Sequence, residues 1–273
     1  MELSRQMSFV TAWELPDWSA GPTGTDDPFA TTAAAGYDGM QVFFPDHAES
    51  TTAAGMSRTS GIGPARTQTE IDAMLGMWAG SGVDSVTLHL GSGFEGRDEG
   101  LRLVEHALAV SAAAGLDLLV ETHRATLFQD PARALDLVAE FPELRFTADL
   151  SHWYTGVEMV YGDFDAKIEA LQPIFDRCRM IHGRISDPGC IQVAVEPDDD
   201  AAHVEHFRLM WQAVRRACEI AEVDRLPFVV ELLPASTNYA RVVDRGNGPE
   251  EETDRWTQAE VLWEIFRASD QRD

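Results

Sequence analysis

Short runs of Val, Leu, Ile and Phe alternate along the chain with longer segments whose apolar residues recur at helical spacing, the pattern of parallel strands crossed by helices. Seven runs read as strands: Ser8–Thr11, Met40–Phe44, Ser85–His89, Leu118–Glu121, Arg145–Leu150, Met180–Ile185 and Phe228–Leu232. An eighth, weakly encoded, is expected between Glu49 and Pro64. From Leu118 onward the runs recur at about the 30-residue spacing of a βα unit.

Helix signals fill the gaps. Thr67 with Glu70 forms a capping box for a helix that Gly80-Ser81-Gly82 ends near Ala79. Asp130-Pro131 starts another, which reaches about Phe141 before Pro142. Further helices are expected over Asp27–Ala35, Arg97–Ala114, Phe164–Cys178, Ala201–Ala221 and Glu251–Ser269. A closed α/β barrel of about 250 residues is commonly one domain. The expectation for these 273 residues is therefore a single (β/α)8 TIM barrel domain spanning 1–273, with its active site at the C-terminal ends of the strands. The one long irregular connection, Ser186–Asp200, reads as a lid or binding loop.

Composition narrows the function. With 44% hydrophobic and 25% charged residues the chain can bury a large core. Forty-six acidic residues against 21 basic ones give a formal charge of −25, and Lys167 is the one lysine. Such a surface repels phosphate, and no basic stripe interleaved with aromatics appears, so nucleic acid is excluded as a partner. Cys178, Cys190 and Cys218 form no CxxC pair, which argues against a disulfide framework or a structural zinc knuckle and for a cytoplasmic location. No apolar stretch has the length of a membrane span or signal core, so no membrane partner is expected.

The chemistry lies at strand ends. Glu121, Asp149 and Glu231 interrupt apolar strand runs, where a carboxylate is costly to bury unless it is paired or binds a metal. An ion pair with Arg184 or Arg124 explains a lone carboxylate; three of them with a histidine, His182, at equivalent strand ends point to a metal. Two Glu, one Asp and one His suit a catalytic Mn²⁺, Mg²⁺ or Co²⁺ with open positions, Mn²⁺ first, with Zn²⁺ also within reach of the donor set. The four lie 28, 33 and 49 residues apart, one per βα unit, the last gap lengthened by Ser186–Asp200, which would lie over the ion. Strand alternation sends His123 after Glu121, and Arg184 after His182, into the same mouth. His152, three past Asp149, is placed to contact substrate hydroxyls or orient a ligand, and Arg184 offers a fork for an oxygen substituent.

Other candidates read as structural. His106, His203 and His206 fall on helices as solvated positions, and Trp78, Trp211 and Trp263 as packing against the barrel. Gly91-Ser92-Gly93 belongs to no nucleotide-binding motif.

The segments GYDGMQVF, VTLHLG, LLVETHR, ADLSHW, IHGRISD and VVELLP, in this order over nearly the whole chain, resemble the xylose isomerase-like TIM barrel superfamily of sugar-phosphate isomerases and epimerases. The resemblance implies one divalent ion on Glu121, Asp149, His182 and Glu231, the two glutamates as proton carriers, and His152 and His89 as pocket histidines. With His123 and Arg184 these form the expected substrate contacts. Two departures stand out: Gln41 where many relatives have Glu, and Gly-Arg-Ile-Ser-Asp after His182. The DNA-repair branch carries an Asp-x-His pair that does not occur between Ser186 and His206. The expected activity is metal-dependent epimerisation or isomerisation of a ketose or keto-sugar. The alternatives are a lyase or dehydratase on a 3-keto-glycoside or inosose, and a non-catalytic sugar-binding or partner subunit. The expected partner is a small-molecule sugar, with homo-oligomerisation left open.

Overall fold

Runs of β-branched and apolar residues separated by amphipathic segments need helices on the outside and a second face to bury, and a closed sheet supplies it. In the structure, a computed structural model describing residues 1–13, 27–246 and 248–269, eight parallel strands close into a barrel. They are β1 (Glu2–Ser8), β2 (Gly39–Val42), β3 (Arg58–Ala65), β4 (Ser85–Leu90), β5 (Leu118–Glu121), β6 (Phe146–Ala148), β7 (Cys178–Gly183) and β8 (Arg225–Val230). Closure is by β1 on β8, in register from Glu2 opposite Arg225 to Met7 opposite Val230.

Helices α1 (Phe9–Trp13) and α2 (Pro28–Ala34) follow β1, α3 (Pro45–Ala53) follows β2, and α4 (Gln68–Trp78) follows β3. Next come α5 (Arg97–Ala114) after β4, α6 (Pro131–Glu140) after β5, and α7 (Leu150–Gly156) with α8 (Phe164–Phe175) after β6. Helix α9 (Ala202–Ile220) follows β7, and α10 (Arg255–Ala268) follows β8 through a hairpin of β9 (Val242–Asp244) and β10 (Pro249–Glu251). The predicted caps form: Thr67 Oγ1 accepts from Glu70 N at 3.2 Å, and Asp130 Oδ1 from Arg133 N at 2.9 Å. Apolar side chains fill the layer between strands and helices; Trp78 and Trp211 are fully buried there, while Trp263 packs against it partly buried.

The barrel interior is unusually polar. Gln41 Nε2 donates to Thr87 Oγ1 at 3.1 Å, and Thr87 Oγ1 lies 2.8 Å from Thr147 Oγ1. These residues sit on β2, β4 and β6, which are not neighbours, so the bonds cross the interior. The polar filling explains the one misplaced strand. The expectation put the first strand at Ser8–Thr11, whereas β1 is Glu2–Ser8, whose buried Ser4, Gln6 and Ser8 break the apolar signal. Strand β3 is the expected eighth strand, and its sequence is glycine-rich because α4 packs onto its backbone. A Cβ on Gly61 would come within 2.5 Å of the Trp78 ring.

Helices α1, α3 and α7 had no forecast, and α1 occupies most of the stretch expected as the first strand. In α3 the hydroxyls of Ser50, Thr51 and Thr52 bond back to the carbonyls of Asp46, His47 and Ala48, a composition that reads as loop. The last helix starts at Arg255 rather than Glu251, because Asp254 caps it and Pro249–Glu251 is a strand.

Candidate metal centre at the C-terminal rim

Every strand-end residue singled out in the sequence lies at the C-terminal rim. Glu121 ends β5, Asp149 follows β6, His182 is the penultimate residue of β7, and Glu231 follows β8. Glu121, Asp149 and His182 have no exposed surface, and Glu231 is 7% exposed. One donor atom from each of the four lies within 4.8 Å of the others. His182 Nδ1 is 3.6 Å from Glu121 Oε1, 3.9 Å from Asp149 Oδ2 and 3.4 Å from Glu231 Oε2. It hydrogen-bonds none of them, and Glu121 Oε1 is likewise buried without a hydrogen bond.

Ligands held at about 2.0–2.2 Å from one ion stand roughly 3–4.4 Å apart, which brackets the His182 spacings. Orphaned buried donors at those separations fit a divalent cation. The set is oxygen-rich with one imidazole, the donor chemistry of Mg²⁺, Mn²⁺ or Co²⁺. Glu121 also has a neighbour on its far side: His89 Nε2 donates to Glu121 Oε2 at 2.7 Å.

Local sequence explains the aim of each side chain. Asp149 is the N-cap of α7, and its Oδ1 accepts from Ser151 N at 3.1 Å and from Ser151 Oγ at 2.5 Å. That fixes Oδ2 toward His182, Arg184 and His152, whose Nε2 lies 3.4 Å away. His152 sits on α7 because the helix begins at the strand's end, and both of its ring nitrogens are buried without hydrogen bonds.

The ion-pair reading is realised as well. Arg184 Nη2 donates to Asp149 Oδ2 and, at 2.6 Å, to Glu231 Oε2, while Nε donates to Ser151 Oγ at 3.2 Å. Arg124 makes no such pair; it stacks on Tyr239 with its Cζ 4.6 Å from the ring centroid. Ser151 and Tyr239 were missed in the sequence. Ser151 carried a signal, a hydroxyl two residues beyond a capping Asp, but Tyr239 carried none. Tyr239 sits between Arg124 and Arg184, whose Cζ is 4.8 Å from its centroid, and its hydroxyl is 3.2 Å from His123 Nε2.

Three histidines pack in a row: His89 and His123 stack with ring centroids 4.5 Å apart, and His152 meets His123 at 3.9 Å with its ring tilted by 52°. His123 Nδ1 donates to the Arg124 carbonyl, which leaves Nε2 to accept from the Tyr239 hydroxyl. All eight expected site residues therefore converge on one rim. Gln41 does not; it lies in the interior network beneath. The Ser186–Asp200 connection does not form a free lid. Ile191, Val193 and Val195 are buried, and Gln192 bonds both to the carbonyl and to the N–H of Leu233.

Burial and charge set the protonation states against each other. Burial raises the carboxylate of Glu121, but His89 and His182 overcome it and hold its pKa well below the ordinary value. Asp149 and Glu231 are likewise lowered against burial, Asp149 mainly by Arg184 and Glu231 by His182 and Arg184. His182 is raised far above its ordinary value despite its burial, because Glu231 and Glu121 face it. His152 and His123 are lowered, chiefly by burial. The rim thus favours ionised carboxylates and charged rings at His89 and His182 beside neutral rings at His123 and His152.

No protein-family model matches the sequence, and no curated protein is significantly similar to it. Solved structures match over the full chain at low identity. A D-tagatose 3-epimerase-like protein superposes with a TM-score of 0.63 at 10% identity, covering 98% of each chain. A probable 3-DHS dehydratase of Bacillus anthracis, involved in petrobactin synthesis, gives 0.58 at 11% with 100% of both chains covered. A xylose isomerase-like TIM barrel protein of Mycobacterium smegmatis, in complex with magnesium, gives 0.50 at 11%, covering 98% of this chain and 97% of that one. The chain has the fold of the xylose isomerase-like TIM barrels. No helix among the described residues is long and apolar enough to cross a membrane.

Proposed function

We propose that this protein is a divalent-metal-dependent epimerase or isomerase of a ketose or keto-sugar, built as one barrel domain over residues 1–273 and working in the cytoplasm. The observation that carries the reading is the buried cluster of Glu121, Asp149, His182 and Glu231, in which His182 Nδ1 and Glu121 Oε1 have no hydrogen bond and His182 Nδ1 stands 3.4–3.9 Å from an oxygen of each carboxylate. Mn²⁺ is the first candidate, with Mg²⁺, Co²⁺ and Zn²⁺ following. The bound ion supplies electrophilic stabilisation of the charge that develops on a carbonyl oxygen and its neighbouring hydroxyl.

The chain's own residues do the rest. Glu121 ends β5 and Glu231 follows β8, and these two carboxylates are assigned to the two faces of the bound carbon. One takes the proton from the carbon beside the carbonyl; return from the other side inverts the carbon, and return to the adjacent carbon isomerises the sugar. His89, His123, His152 and Arg184 surround that position as hydroxyl and carbonyl contacts. The D-tagatose 3-epimerase-like neighbour agrees with a ketose substrate.

A lyase on a 3-keto-glycoside or inosose is the second reading. The likeness to a probable dehydratase agrees.

The deciding experiment is solvent-deuterium exchange followed by NMR on a panel of ketoses, 3-keto-sugars and inososes, with metal content measured alongside. Exchange at one carbon in the wild type, lost in Glu121→Gln and Glu231→Gln, is the expected result. Full exchange in both variants removes their roles as proton carriers. An unsaturated product identifies the lyase, and ligand binding without exchange or turnover a sugar-binding subunit.

A further inference from the structure

Asp149 and Glu231 are already bridged by a cation that belongs to the chain. Arg184 Nη2 donates to Asp149 Oδ2 and to Glu231 Oε2, the same oxygens that stand 3.9 and 3.4 Å from His182 Nδ1. An ion coordinated by His182 draws on those same two oxygens, whose negative charge the guanidinium already partly neutralises, so the two cations compete for it. Arg184 is held along one edge only. Its Nε and Nη2 are engaged, whereas its Nη1 is buried without a hydrogen-bond partner. The Tyr239 ring already lies against it, its centroid 4.8 Å from Cζ.

We infer that Arg184 is an internal competitor for the metal, tying Asp149 to Glu231 until an entering ion takes both oxygens and leaves the guanidinium held by Tyr239 and Ser151. The inference rests on the ion-binding reading given above. Charge balance supports a release over a short distance. Once His182 is deprotonated as a ligand, three carboxylates and one guanidinium leave two negative charges, which a divalent ion cancels, so the arginine stays welcome beside the site after letting go. Its freed N–H groups then become donors for whatever binds next to the ion. Metal loading and the presentation of a substrate-binding fork become one event, and the ion is required to bind before the sugar.

The test uses the full chain, stripped with chelator and titrated with Mg²⁺. Arg184 Nη–H resonances, assigned by their loss in Arg184→Lys, are expected to be separate before loading, because bonds to two carboxylates hinder rotation of the guanidinium. Saturating Mg²⁺ is expected to merge them. In calorimetry, a guanidinium that leaves the oxygens free in about a tenth of molecules or fewer makes Arg184→Met bind Mg²⁺ about tenfold tighter, or more. Hindered Nη–H signals that persist at Mg²⁺ saturation, or an equal or weaker affinity in Arg184→Met, overturn the competition and leave the ion reading standing. If neither protein binds Mg²⁺, the ion reading falls and the competition with it.

Discussion

His89 donates through Nε2 to Glu121 Oε2 at 2.7 Å, so Glu121 faces His182 with its other oxygen, Oε1. The histidine thereby fixes the orientation of a carboxylate that has no exposed surface of its own. Replacing such an outer partner typically weakens metal binding by about 10–100-fold. His89→Ala is expected to lose affinity for Mn²⁺ in that range by calorimetric titration, and His89→Gln, which keeps a donor, to recover part of it. Equal affinity in His89→Ala would show that Glu121 is held in place without the histidine.

Gly183 separates His182 from Arg184 on β7, and a Cβ there would meet the Phe228 ring at 2.5 Å. Phe228 is itself buried and stacks on Phe266, with centroids 4.3 Å apart, so it has little room to yield. Gly183→Ala is expected to cost about 1–3 kcal/mol by overpacking. In thermal unfolding that is a drop of several degrees, at about 2–4 °C per kcal/mol for a chain of this size class. Metal affinity is expected to fall with it, because the same shift moves His182.

Much of the site was legible because its chemistry contradicts its surroundings. A glutamate closing LLVE or following FVV has no place in an apolar strand, and a barrel sends all such residues to one rim. Ser151 and Tyr239 were illegible for the opposite reason. A serine at a helix start and a tyrosine in a loop are ordinary locally, and their roles come from Arg184, which is 33 and 55 residues away. The fold followed the same rule. Strands β5 and β8 announce themselves with apolar residues, whereas β1 turns Ser4, Gln6 and Ser8 toward buried space and β3 gives up side chains to let α4 approach.

The cysteines are expected to divide by reactivity. Burial pushes the Cys218 thiol up to about 11 and that of Cys178 well above its ordinary value, while Cys190 is half-buried. The thiolate is the reacting species, so a chromogenic disulfide reagent at neutral pH should titrate one thiol in the folded protein and three after denaturation. Rapid reaction of three thiols in the native state would contradict the packing of α9 against β7.

His206 was expected on a solvated helix face, but its ring stacks on Phe164 at 3.6 Å and its Nδ1 lies 2.8 Å from the Tyr154 hydroxyl. Desolvation, with Lys167 and His203 nearby, lowers its pKa against the opposing pull of Glu205 and Asp165. The folded state then favours the neutral ring. Its contribution is present above the unfolded value of about 6.5 and is lost as the pH falls through the lower folded one. Between pH 7.5 and 5.5 the melting temperature of the wild type should therefore drop further than that of His206→Gln; parallel curves would remove His206 from the acid response.

Closure of the ring by β1 against β8 has a consequence for synthesis on the ribosome. The first strand must wait for Arg225–Val230 before it gains its second neighbour, and Glu231, the fourth donor, is the very next residue to be made. A divalent ion, on the proposed reading, therefore finds no complete nest on a nascent chain. On the proposed reading, a polypeptide stalled short of residue 231 keeps three of the four donors and should hold a divalent ion far more weakly than the full chain.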